Sequence, residues 1–483
     1  MFSRILSFRS ISRIRQSTRL RSSFFADQDF ASLGLRSPVL LKRLEKHIGL
    51  TQPTAVQAQA IPKLLDPETG DVTIGAETGS GKTLAYLLPL MDDILSRREE
   101  NDYDYARAII LVPNKELVQQ VARMALILAG GPDSLVFGSV PMVEPPSIGD
   151  DSSRVRIALL PGGLKEPTDF PPFRSSVNGD DAPVDLVVTT PASLGPLALS
   201  PKNIDLFADV KTLVVDEADM LLDGGYLKPL EQVFLGFRRA DRLNLDAVEP
   251  TQHVFVAATL PDYGLRSVDA YLQKKFPDAE RIALSGMHQA RHFGLVEATE
   301  WHALESKRDR LQTLVSRLDS DLKDEKIMIF CNSVEDAEGS CQALQRAGHP
   351  AVAYHAKVPL DERTKLLADY RAADSGLLVC TDLAARGLDV PGVSVVVQLQ
   401  FAGNVVAHLH RMGRCGRAGQ RTGRGLVFYD EHETALVEEI RRAESVQERM
   451  QLEQDVEDTE EATVKKAFSR KRGFTKKRKK QRD

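Results

Sequence analysis

Short apolar and β-branched runs recur along most of the chain, separated by stretches with helical spacing. In the first half they fall at residues 72–76, 108–112, 155–160, 184–189, 212–215, 253–257 and 281–284. A second series lies at 326–330, 351–354, 377–381, 393–399 and 425–429. Runs that stay apolar without alternating predict strands buried on both faces. Strands alternating with helices predict an α/β fold, each sheet mostly parallel and flanked by helices. Ahead of the first run, residues 38–48 and 55–61 read as helices joined by the turn Gly49-Leu50-Thr51-Gln52-Pro53. The periodicity lapses at Ser285-Gly286-Met287-His288-Gln289-Ala290, as in a short linker. The expected organisation is two domains of similar architecture, 27–286 and 296–445, joined by residues 287–295. Residues 139–153 and 165–183, rich in Pro, Ser, Gly and Asp, read as surface loops.

The ends of the chain differ from its middle. Residues 1–26 carry six arginines and no acid, with serine and apolar residues between them. That composition fits an organelle transit peptide better than a secretory signal, which needs a continuous apolar core. Import into mitochondria is expected, with plastids as the alternative and the nucleolus behind both. Residues 446–483 form a tail, acidic and then basic, whose last part at 465–482 holds eleven Lys and Arg. The net charge of −5 therefore hides an acidic middle between two basic ends. No apolar run approaches the ~20 residues that cross a bilayer, so no membrane partner is expected. Cys331, Cys341, Cys380 and Cys415 are scattered and read as buried thiols of a reducing compartment.

The strongest local chemistry lies at Ala76-Glu77-Thr78-Gly79-Ser80-Gly81-Lys82-Thr83, between a strand pattern and a helix pattern. Glycines let successive backbone N–H groups face a phosphate at the positive end of the helix. Lys82 can reach terminal phosphates, and the Thr83 hydroxyl can hold Mg²⁺. The general phosphate-loop pattern has glycine where this chain has Ala76. A second signal is the buried-strand pattern Thr212-Leu213-Val214-Val215 ending in Asp216-Glu217-Ala218-Asp219. Carboxylates at the carboxyl end of a strand stand where an open α/β sheet binds its ligands. Asp216 is placed to coordinate Mg²⁺ and Glu217 to polarise water.

With these motifs the chain resembles a DEAD-box RNA helicase of helicase superfamily two, over roughly residues 30–429. The resemblance implies two RecA-like domains, ATP and Mg²⁺ as cofactors, and single-stranded or partly duplex RNA as partner. It makes Gln57 the adenine-reading residue and Phe30 the ring stacked on the base. It assigns Ala76, Thr78, Gly79, Ser80, Gly81, Lys82 and Thr83 to the triphosphate, with Gly387 and Asp389 facing the nucleotide from the second domain. Glu217, Asp216, Lys82, Arg414 and Arg417 become catalytic, the two arginines reaching the γ-phosphate. Pro113, Asn114, Lys115, Gly162, Gly163, Thr190 and Thr381 become RNA contacts, and Asp219, Thr259 and His410 couple nucleotide state to RNA.

Several positions depart from the family pattern. Asn114-Lys115 stands for Thr-Arg, Ala192-Ser193 for Gly-Arg, and Ala257 for the serine of Ser-Ala-Thr. Gln400 and Ala402 stand for Asp and Pro. Loss of an arginine exchanges a bidentate fork for a weaker contact, so RNA gripping by the first domain is expected to be weaker or altered. Retained ATPase with less efficient unwinding is expected from Ala257. The basic tail, with Phe468 and Phe474 interleaved, suits sequence-independent RNA tethering. The resulting expectation is a monomeric ATP-dependent RNA helicase or RNA chaperone. Its setting would be organelle ribosome assembly or RNA processing, with ribonucleoprotein or ribosomal assembly proteins as possible partners.

Overall fold

A computed structural model describes residues 25–76, 79–99, 107–131, 134–137, 155–160, 184–200, 203, 205–208, 210–222, 226–243, 250–257, 268–283, 298–385, 390–415 and 423–442. The loops expected at 139–153 and 165–183, and the tail, lie outside them. The chain divides into two compact units, residues 1–260 with 271–287, and residues 261–270 with 288–483.

The first unit holds eight strands: β1 Val72–Gly75, β2 Ala108–Leu111, β3 Leu135–Phe137, β4 Ile157–Leu160, β5 Leu186–Thr189, β6 Thr212–Asp216, β7 Gln252–Ala257 and β8 Glu280–Ala283. They form one sheet in the order β3-β4-β5-β2-β6-β7-β1-β8. Every pairing in it is parallel. The second unit holds β9 Ala298–Ala303, β10 Lys326–Phe330, β11 Ala351–Tyr354, β12 Gly376–Cys380, β13 Val395–Gln398 and β14 Arg424–Tyr429. They form a sheet in the order β11-β12-β10-β13-β14-β9, again parallel throughout. Intervening helices cover these sheets, so β1, β2, β4, β5, β6, β10 and β13 are buried along their whole length. That two-sided burial is why their sequences read as unbroken apolar runs. Two strands, β3 and β9, have no counterpart in the sequence expectation. Both are edge strands; β3 has three residues, and β9, Ala-Thr-Glu-Trp-His-Ala, is half polar.

The helix expected over 38–48 is α-helical at Pro38–Arg43 and winds into a π turn at Leu44–Ile48. Gly49, in the left-handed region at φ 77°, closes it by donating its N–H to Leu44 O. The chain then enters helix Ala55–Leu65 through a capping box. The Thr54 hydroxyl accepts from Gln57 N, and Gln57 Oε1 accepts from Thr54 N at 2.9 Å. All four cysteines are buried and free. No helix among the described residues is long and apolar enough to cross a membrane.

Candidate nucleotide site and nucleic-acid interface

In a parallel sheet, groups that follow the carboxyl ends of the strands collect along one edge. In the first unit β1 runs into Ala76, and helix Lys82–Glu99 starts at the far end of the loop. Gly79 and Gly81 take φ 82° and 89°, a region that favours glycine. A side chain at Gly81 would also collide with the Gln57 amide. Ala76 has no positive φ, so its backbone does not require the glycine of the general pattern. It is buried, its N–H bonds to Ala257 O at 3.2 Å, and its carbonyl accepts from Lys82 Nζ at 2.5 Å.

Asp216 ends β6, which pairs directly with β7 and is separated by it from β1; Val256 is its register partner. Its Oδ2 accepts from the Tyr86 hydroxyl at 2.8 Å, and its Oδ1 accepts from Glu217 N at 2.9 Å. Tyr86 also hydrogen-bonds Thr83, so the two residues expected to hold a metal share one neighbour. Burial, and then the Glu217 charge, push the Asp216 carboxyl well above the ordinary range. Burial likewise raises Tyr86, which stays a phenol. Glu217 sits at φ 52°, unusual for a residue with a side chain. Its side chain is buried, and Oε2 has no hydrogen-bond partner among the described residues. A closely spaced buried acid pair, one oxygen of it unsatisfied, fits a divalent cation and a water molecule. A cation there would lower the carboxyl pKa that burial raises.

Gln57 is buried and bridges two parts of this site. Its Nε2 donates to Gly81 O at 3.0 Å while Oε1 caps Thr54. Phe30 is 3% exposed and packed into the apolar core of this unit. Asp219 is buried, its Oδ1 accepting from Met220 N. Thr78 and Thr259 lie outside the described residues.

Of the expected RNA contacts in this unit, Pro113 is buried and Lys115 exposed. Asn114 caps helix Lys115–Ala129, its side-chain oxygen accepting from Leu117 N at 2.9 Å. The Thr190 hydroxyl pairs with the buried Ser193 hydroxyl at 3.0 Å, so the residue in the family's arginine position faces inward. Gly162 and Gly163 lie outside the described residues.

In the second unit, the segments after β10, β12 and β13 converge on Arg411, which is fully buried. Its Nε donates to Asp382 Oδ1 at 2.6 Å, Nη1 to Gln400 O at 2.8 Å and Nη2 to Asn332 Oδ1 at 2.7 Å. The guanidinium also lies over the Phe330 ring. Gln400 accepts from Asn332 N and donates to Asp336 Oδ2. Thr381 follows the last residue of β12 and is half-buried beside Asp382. His410 is buried, and Arg414, also buried, donates from Nε to His410 O. Gly387, Asp389 and Arg417 lie outside the described residues. Sequence reasoning gave no role to Tyr86 or Arg411. Tyr86 lies one helical turn after Lys82, on the same face, which is the signal that could have found it.

Two parallel sheets, the first carrying a strand–glycine loop–helix unit beside an acidic strand end, define an α/β protein built to hold a polyphosphate. Residues 54–267 match the DEAD/DEAH box helicase family, and residues 306–419 match the helicase conserved C-terminal domain. The chain is 32% identical to DEAD-box ATP-dependent RNA helicase 22 of Oryza sativa subsp. japonica, over 90% of this chain and 81% of the rice protein. It is 27% identical to the mitochondrial ATP-dependent RNA helicase MSS116 of Meyerozyma guilliermondii, over 81% of this chain and 53% of that one. Its fold is similar to that of S. cerevisiae Dbp5 bound to RNA and ADP BeF3. The TM-score is 0.64 at 23% identity, over 91% of this chain and 100% of that one. The chain belongs to the DEAD-box ATP-dependent RNA helicases, enzymes that couple ATP hydrolysis to RNA.

Proposed function

We propose that ATP is hydrolysed at the edge of the first sheet, with Glu217 directing the attacking water. The observation that carries this is Glu217 itself: a left-handed backbone beside Asp216, and a buried carboxylate oxygen without a hydrogen-bond partner among the described residues. Backbone strain and an unsatisfied buried acceptor both cost stability, and such costs cluster at functional sites. Ala76, Thr78, Gly79, Ser80, Gly81 and Lys82 cradle the phosphates, Lys82 exchanging the Ala76 carbonyl for a phosphate oxygen. Thr83 and Asp216 hold Mg²⁺, which when bound supplies positive charge to the phosphate oxygens. Gln57 reads the adenine edge with Phe30 stacked on the ring, and Gly387 and Asp389 face the nucleotide. Arg414 and Arg417 neutralise charge that develops on the γ-phosphate. Pro113, Asn114, Lys115, Gly162, Gly163, Thr190 and Thr381 contact RNA, with Asp219, Thr259 and His410 coupling the two ligands. Glu217→Gln is expected to lower RNA-stimulated ATPase at least about 100-fold while ATP still binds. Unchanged turnover would remove Glu217 from this role.

We place this activity in mitochondria, working as a monomer on ribosomal or other organellar RNA alongside ribonucleoprotein assembly proteins. The arginine-rich, acid-free residues 1–26 and the mitochondrial relative support that reading. A reporter fused to residues 1–35 tests it, and a nuclear or cytosolic signal would count against import.

A second reading, an ATP-gated RNA clamp with little strand separation, draws on the first unit's interior. Ala257 puts a fully buried methyl where the family has a serine, and Ser193 bonds inward to Thr190. ATPase without duplex release, unrescued by Ala257→Ser, would favour the clamp. Efficient release by the wild-type chain would exclude it.

A further inference from the structure

We infer that Phe25 and Ala26 form a positioning strand for the adenine end of the nucleotide site, and that maturation of the chain cuts N-terminal to them. This rests on the reading of Gln57 and of the leader given above.

Phe25 forms an antiparallel bridge with Thr54, and Ala26 donates its N–H to Pro53 O at 2.9 Å. Pro53 is buried and, as a proline, has only its carbonyl to pair. Without the Ala26 donor that buried acceptor loses its partner among the described residues, which is unfavourable. Phe25 and Ala26 are half-buried, while Asp27, Gln28 and Asp29 are exposed. Among the described residues the tie therefore ends at Ala26 on its C-terminal side.

What it holds in place has little slack. Thr54 caps the helix carrying Gln57 and trades two hydrogen bonds with it. Gln57 in turn reaches Gly81 O, where even a methyl group has no room. A shift at Pro53 and Thr54 is thus passed by Gln57 to the phosphate loop. The amide that reads the base is aimed by the same contacts. The leader expected over residues 1–26 includes both residues of the tie, so removal of that whole stretch would take away the strand.

Two measurements test this. The first compares binding of fluorescent ATP and GTP analogues, with Mg²⁺ present, by four proteins. These are the full chain, a chain beginning at Phe25, a chain beginning at Asp27, and full-length Ala26→Pro, which lacks the N–H. The chain from Phe25 is expected to match the full chain. The chain from Asp27 and Ala26→Pro should bind ATP about five- to tenfold more weakly, with a smaller preference for ATP over GTP. Retained affinity and preference in both would overturn the inference. An equal loss for the two nucleotides would also overturn it, because that reports structure and not aim. If the full chain binds neither nucleotide, it is the reading of the site that fails. The second measurement does not depend on the nucleotide: the N-terminus of the mature protein recovered from cells. A start at or before Phe25 is expected, and a start at Asp27 or beyond would overturn the placement.

Discussion

Along the carboxyl edge of the first sheet, polar groups are held by substitutes. The Lys82 amine rests on the carbonyl of Ala76, the Asp216 carboxyl is driven toward its neutral form, and Glu217, on a left-handed backbone, has an oxygen with no hydrogen-bond partner among the described residues. Along the carboxyl edge of the second sheet, Arg411 is just as buried, yet its donors meet a carboxylate, a backbone carbonyl and an amide oxygen. The contrast separates two uses of buried charge. A buried guanidinium with matched acceptors locks three loop segments together. A buried acid pair left short of donors stores a demand that a ligand can meet.

The sharpest way to break this comparison is to mutate both edges and read stability. Arg411→Ala strips the donor from the Asn332 and Gln400 oxygens and leaves Asp382 without its partner. Asp382 is half-exposed and water can meet it, so the cost comes from the cavity and the two orphaned oxygens: a loss of about 2–4 kcal/mol is expected, with Arg411→Lys recovering only part of it because an ammonium lacks the fork. Trp301, the single tryptophan, lies in the second unit, so its fluorescence during denaturant unfolding reads this loss directly. Glu217→Gln, whose amide can donate and carries no charge, should leave the stability of the first unit unchanged or raised. A destabilising Glu217→Gln or a neutral Arg411→Ala would erase the distinction.

The legibility of the sequence follows the same division. The phosphate loop and the strand before Asp216 are readable because their demands are local: glycines for φ, a lysine and a hydroxyl at fixed spacing, a run of apolar residues for burial. Strands β3 and β9 were not readable. An edge strand is paired on one side only and needs no continuous apolar run, so Glu300 and His302 can sit half-exposed within β9. Arg411 was not readable for another reason. An arginine close to Arg414 and Arg417 has no local mark of burial, and its acceptors come from Asn332, Asp382 and Gln400, brought together only by the sheet. The inward turn of Ser193 was hidden similarly, since serine is equally at home facing solvent.

An effect that is nil at neutral pH and grows only in acid sharpens the picture of the second unit as a closed interior. His408 is buried against Trp301 and Phe401, with its Nδ1 2.8 Å from Gln398 Nε2. Gln398 Oε1 already accepts from Ala402 N, so its amide donates to the ring, and Nδ1 must be unprotonated. Burial, then the Arg411 charge, lower the His408 pKa to about 3. The unfolded chain protonates this ring near pH 6.5 and the folded chain does not, so acid favours unfolding. His408 should contribute no pH slope above about pH 6.5, then cost up to about 1.4 kcal/mol per pH unit as the pH falls toward 3. His408→Gln is expected to flatten that part of the stability profile read by Trp301, whatever it does to the value at neutral pH. An unaltered slope would mean that the ring takes up its proton in the folded state.

The smallest expected effect concerns the divergence at Gln400. Its Oε1 accepts from Asn332 N while Nε2 donates to Asp336 Oδ2, which also bonds the Ser333 hydroxyl. Lys307 pairs with the other oxygen of Asp336, and these partners hold that carboxyl below the usual range, Lys307 foremost. Aspartate, the family's common residue here, can replace the acceptor but not the donor, and would set two carboxylates side by side. Gln400→Asp should therefore cost about 1 kcal/mol, more at low salt than at high salt because the site is partly exposed to solvent. Adding Asp336→Asn should recover most of that loss, since an amide restores a donor between the two positions. If Gln400→Asp were silent and the double variant no better, Arg411 alone would be holding this edge, and the amide at position 400 would be a bystander to it.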